Sequence, residues 1–74
     1  MGKKDIVVDG LGARLKEVRE RNGWTQAQVA AWSGIGTNHL AQFELETRKP
    51  GAENLAKLAR GLRVTSDWLL GLEG

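Results

Sequence analysis

Apolar and small side chains recur along this chain at helical intervals. Leu11, Leu15 and Val18 make one stripe, and Val29, Ala30 and Ser33 a second, smaller one. Leu40 and Phe43 stand at i, i+3, and Leu55, Leu58, Ala59 and Leu62 at i, i+3, i+4, i+7. The stripes predict short helices over about Leu11–Arg21, from Thr25 to the turn at Gly34, from Gly36 or Thr37 to about Leu45, and after Pro50. A last helix runs from a Thr65 cap to about Leu70. Their ends carry signals of their own. Thr25 with Gln28 three residues on has capping-box spacing. Asn22-Gly23 tolerates the left-handed conformation that closes a helix. Asp67 puts a negative charge in the first turn of the last helix, where it suits the dipole. The fold class is all-α, five short amphipathic helices around one core.

The stretch from Thr25 to Pro50 is the most informative. Two short helices meet at a sharp turn, where Gly34 can take positive φ without steric cost, and Ile35 points into the core. In the second helix Leu40 and Phe43 face inward with His39 beside them. Thr37, Asn38, Ala41 and Leu45 face outward, and Gln42 lies on the border. The outward face is short and uncharged, with amide and hydroxyl groups near its N-terminus. A basic loop containing Arg48 and Lys49 follows. A small polar helix on the outside of a compact domain can enter the major groove of DNA. Asn and Gln pair bidentately with adenine there, and Thr offers a hydroxyl and a methyl group.

Composition narrows the function classes more than it selects among them. The 74 residues allow one domain, which buries only about 60% of its unfolded surface and has a thin stability margin. Met1–Gly10 reads as a flexible tail, with residues 11–74 as the folded domain; its Ile6-Val7-Val8 triplet could instead pack on a neighbouring subunit. There is no cysteine, so there is neither a disulfide framework nor a thiolate metal site, and a reducing cytoplasm suits the chain. No apolar run approaches the roughly 18 residues of a membrane span, and no signal peptide is visible. The net charge is +2 with a pI near 9.4. The basic residues are scattered, as on solvated helix faces, so charge alone does not point to DNA. His39 is the single histidine and has no second type of metal ligand clustered with it. Without a Gly-rich phosphate loop or a paired-carboxylate cleft, the chain does not read as an enzyme. No cofactor, metal or small-molecule ligand is implied.

The segments Leu11-Gly-x-Arg-Leu-Lys-x-Val-Arg, Asn22-Gly-Trp-Thr-Gln, Val29-Ala, Ser33-Gly-Ile, Gln42-Phe-Glu44, Arg48-Lys-Pro50, Leu55-x-x-Leu-Ala and Val64-x-x-Asp-Trp-Leu-Leu70 occur in that order without a gap. Together they resemble the Cro/C1-type helix-turn-helix regulators, the XRE-like or phage-repressor-like family, over about residues 11–72. The resemblance implies a compact lambda-repressor-like domain and a sequence-specific transcriptional regulator whose partner is double-stranded DNA. Thr37, Asn38 and Gln42 would then reach base edges, while Gln26, Thr25, Arg48 and Lys49 hold phosphates. Arg19 and Glu44 resemble a structural ion pair that ties the first helix to the reading helix. Trp24 stands where the family places an apolar residue.

The chain also departs from that family. Gly36 replaces the usual Ser or Thr, and Thr37 takes a place often held by Arg or Gln. Leu45 and Glu46 replace a frequent Arg-Gly, and Arg63 replaces Gly or Asn, which forces it toward positive φ. Trp32 admits two readings, as an interface residue or as a ring partly covered by a neighbour. One reading helix covers few base pairs. A homodimer would set two of them about 34–36 Å apart on a palindromic operator. Trp68, Leu69 and Leu72, with Leu70, supply a candidate dimer surface; the competing reading is that they close the monomer's core. The alternative function is a protein-interaction module on the same fold, antitoxin-like or a regulator's partner, using Trp32, Leu45 and the tail.

Overall fold

The computed structural model describes residues 10–72. The expected flexible tail, apart from Gly10, lies outside the described residues. Five helices follow one another: α1 (Leu11–Arg21), α2 (Gln26–Ser33), α3 (Thr37–Leu45), α4 (Ala52–Leu62) and α5 (Ser66–Leu69). Among the described residues there is no strand, and no helix is long and apolar enough to cross a membrane.

The local signals act where the sequence put them. The Thr25 hydroxyl accepts the Gln28 N–H at 3.1 Å, and the Gln28 side chain accepts the Thr25 N–H at 2.8 Å. This reciprocal cap contributes about 1 kcal/mol. Thr65 accepts the Trp68 N–H at 3.0 Å and starts α5. Gly34 ends α2 at φ 74°, which lets the Ile35 N–H return to the Ala30 carbonyl at 3.0 Å. α3 and α4 also end in left-handed residues, but neither is glycine: Glu46 has φ 60° and Arg63 φ 61°. The Arg63 conformation was anticipated and that of Glu46 was not.

Every helix contributes to one core, through Leu15 and Val18, Val29 and Ala30, Leu40 and Phe43, Leu58 and Leu62, and Leu69. Burying each large aliphatic side chain is worth roughly 1.5–3 kcal/mol. α1 packs on α3 and α5, and α2 packs on α3 and α4. At two seams a glycine lets neighbouring helices come closer than an added Cβ would allow without a shift. A Cβ on Gly12 would lie 2.4 Å from the Glu44 carbonyl oxygen and 2.7 Å from that of Phe43. A Cβ on Gly61 would lie 2.2 Å from the Ser33 hydroxyl and 3.0 Å from its Cα.

The C-terminal segment corrects one expectation. Leu69 has no exposed surface, so it cannot form part of a dimer face; its apolar surface is already spent in the monomer's core. Trp68 is half-buried against that core, and Leu72 stays exposed. Arg14 fastens this end to α1 by donating from Nε to the Leu69 carbonyl at 2.8 Å.

Candidate nucleic-acid interface

Thr37, Asn38 and Gln42 are exposed on α3. Within the described residues none of their side chains has a hydrogen-bond partner, so their amide and hydroxyl groups are available to a ligand. Gln42 shares the exposed side with Thr37 and Asn38, while Ala41 is half-buried in a hollow between α3, α1 and the start of α2. Ala41 therefore faces the protein more than the sequence reading had it, and Gln42 less. His39 is exposed rather than tucked beside Leu40. Leu45 is 73% exposed at the end of the helix. Arg48 and Lys49 are exposed in the loop that follows.

α3 is fixed from behind by one carboxylate. Glu44 accepts Arg19 Nε–H at 2.7 Å on Oε2 and Arg19 Nη2–H at 3.1 Å on Oε1, a bidentate pair. The two side chains are only 14% and 5% exposed. The hydrogen bond to Glu44 raises the Arg19 pKa above its ordinary value, outweighing the opposing effect of burial. Arg19 also donates to the Trp24 carbonyl at 3.1 Å, which holds the link between α1 and α2. Gln26, at the first position of α2, donates Nε2–H to Glu44 Oε1 at 3.0 Å. One carboxylate thus joins α1, α2 and α3.

Gln26 consequently has a protein partner that spacing did not point to; its amide carries a second N–H and an acceptor oxygen. Thr25 is exposed, and its hydroxyl oxygen serves the cap. A second carboxylate was also missed. Glu46 Oε2 accepts the Gly12 N–H at 3.2 Å, where the positive end of the α1 dipole favours it. Its left-handed backbone places it there, and only the family's glycine at this position could have hinted at that conformation. Trp24 and Trp32 meet edge to face, with ring centroids 5.1 Å apart and planes at 85°. Trp32 remains 52% exposed, so it is both partly covered and partly open. Among the described residues no group of His, Asp and Glu could hold a metal ion.

Known proteins share this architecture. The chain is 43% identical over 61 residues to the HTH-type transcriptional regulator ImmR of Bacillus subtilis, a match covering 82% of this chain and 48% of the relative. It thus spans about half the length of that relative. The restriction-modification controller protein C.AhdI of Aeromonas hydrophila superposes with a TM-score of 0.79 at 29% identity, covering 84% of this chain and 94% of that one. The P22 c2 repressor, solved in complex with a synthetic operator, superposes with a TM-score of 0.79 at 27% identity, covering 85% and 96%. The helix-turn-helix family model matches residues 15–69, which include both helices of the turn, the Arg19–Glu44 pair and the basic loop; the chain belongs to the helix-turn-helix family.

Proposed function

We propose that the protein is a sequence-specific DNA-binding transcriptional regulator that acts in the cytoplasm, where its DNA lies, and binds as a homodimer to a palindromic operator. One observation carries this reading: α3 presents Thr37, Asn38 and Gln42 unpaired to solvent while Glu44 clamps the same helix to α1 and α2. A reading helix needs both properties, available base-edge partners and a fixed angle to its scaffold. Thr37, Asn38 and Gln42 contact base edges; Gln26, Thr25, Arg48 and Lys49 contact phosphates. Base contacts specify, and phosphate contacts set the register. The likeness to the operator-bound P22 c2 repressor and to the regulator ImmR supports the reading.

Two-fold symmetry follows from the small footprint of one α3. With Leu69 inside the core, the C-terminal surface offers Trp68 and Leu72 to a second copy. Selection from a random duplex pool tests the proposal. The expected product is a pseudo-palindrome with half-sites one helical turn apart, about 10 base pairs. No enriched sequence would overturn it, and a single enriched half-site bound one to one would overturn the dimer. The exposure of Leu45 on the same helix favours a second reading, a protein-interaction module. In that case a gel shift would show no salt-sensitive DNA binding.

A further inference from the structure

A second surface lies away from the reading face. Trp24, Trp32, Arg60, Gly61 and Arg63 line a hollow of about 360 Å³, formed by α2, α4 and the loop before α2. It continues past Trp24 and Arg63 into a neighbouring hollow of about 500 Å³ that reaches Val64 and Trp68. No residue of α3 lines either one. The hollow combines an apolar wall with positive charge. Trp32 is the exposed wall, braced by Trp24, and Gly61 also lines the hollow. Among the described residues neither Arg60 nor Arg63 has a carboxylate partner, and no carboxylate lines either hollow.

We propose that this hollow docks a short acidic peptide segment of another protein, with an aliphatic side chain against Trp32 and carboxylates on Arg60 and Arg63. The charge pattern selects this occupant. A two-fold contact of the face with itself would bring Arg60 and Arg63 of one copy against the same residues of the other, and like charges there are costly. The perpendicular tryptophan rings form no parallel slot for a nucleobase. A peptide carrying its own carboxylates meets both requirements, with bidentate pairing available to each guanidinium. Because α3 takes no part, docking and DNA binding are compatible, and the proposal stands or falls separately from the DNA reading.

The tryptophans report on this surface directly, since all three line one hollow or the other and the chain has no tyrosine. The full chain is titrated with the capped hexapeptide Asp-Glu-Leu-Leu-Glu-Asp while tryptophan emission is followed. The expected result is a saturable change that weakens roughly tenfold when serines replace the two leucines and disappears with Lys-Lys-Leu-Leu-Lys-Lys. Arg60→Glu, an exposed position, and Trp32→Ala each weaken binding about tenfold or more while leaving operator binding unchanged. Arg60→Glu keeps the test decisive should Trp32→Ala perturb folding. The proposal is overturned by any of four results: no saturable change up to about 1 mM peptide; equal response to the basic peptide; tighter binding of single-stranded oligothymidine at the same tryptophans; or an emission change, produced by protein concentration alone or by deleting residues 1–9, that Arg60→Glu abolishes, which would assign the hollow to a second copy or to the chain's own N-terminal segment.

Discussion

The seam between α1 and α3 and the seam between α2 and α4 are built from opposite materials. At the first, backbone meets backbone over Gly12, and carboxylates do the joining: Glu44 takes three N–H groups from Arg19 and Gln26, and Glu46 takes the N–H of Gly12. At the second, Gly61 meets Ser33, whose hydroxyl is buried with no hydrogen-bond partner, and no side-chain hydrogen bond between described residues crosses it. Apolar contact is not directional and supplies stability in proportion to area. A bidentate pair sets an angle as well as an energy. The seam carrying the proposed reading helix has the directional chemistry, and the seam carrying the scaffold does without it.

Breaking the polar seam should cost most. Glu44→Ala strands the Arg19 guanidinium and removes the partner of Gln26. For a pair this well covered, the expected loss is about 3 kcal/mol, at the lower end for buried ion pairs. Chemical denaturation checks it, and an unchanged midpoint would show that the pair does not hold α3.

Overpacking each seam compares the two directly. Gly12→Ala drives a methyl group into carbonyl oxygens of α3 that belong to the backbone and cannot swing away, with an expected loss of about 2–3 kcal/mol. Gly61→Ala meets mainly the Ser33 hydroxyl, and alanine's better helix propensity offsets part of the clash, so about 1 kcal/mol is expected. Denaturation of both variants decides the order; a costlier Gly61→Ala would reverse the comparison.

The smallest effect sharpens it. Ser33→Ala removes a buried hydroxyl that bonds nothing and should stabilise the fold by up to about 1 kcal/mol. It should also lessen the cost of Gly61→Ala, a coupling that a double-mutant cycle reads. Loss of stability in Ser33→Ala would mean that the hydroxyl has a partner in solution, such as a water.

Much of the fold is legible in the sequence because it rests on local rules. The α1 stripe, the Thr25 box, the Gly34 turn and the Thr65 cap each depend on residues within a few positions of one another, and α1 spans Leu11–Arg21 as read. Leu69 shows where such rules stop. Adjacent leucines at 69 and 70 look alike in sequence, and only the packing of α5 on α1 and α4 decides that the first is wholly buried. The exposure of Thr37 and Asn38 follows from helical period, whereas the trade between Ala41 and Gln42 depends on where α1 and α2 stand against α3. The Gln26–Glu44 bond is set by the crossing of two helices, which no spacing encodes. Glu46 stayed hidden because intrinsic preference opposes its left-handed backbone.

The central claim is that α3 reads DNA while the loop after it only holds DNA. Binding to the selected operator, measured across salt concentrations for the parent, Asn38→Ala and Lys49→Ala, tests it most directly. Asn38→Ala is expected to lose about 1–3 kcal/mol on the operator but little on scrambled DNA, with the salt slope kept. Lys49→Ala should weaken both DNAs alike and flatten the slope by about one unit per subunit. An Asn38→Ala variant with the parent's affinity and site preference would contradict the claim.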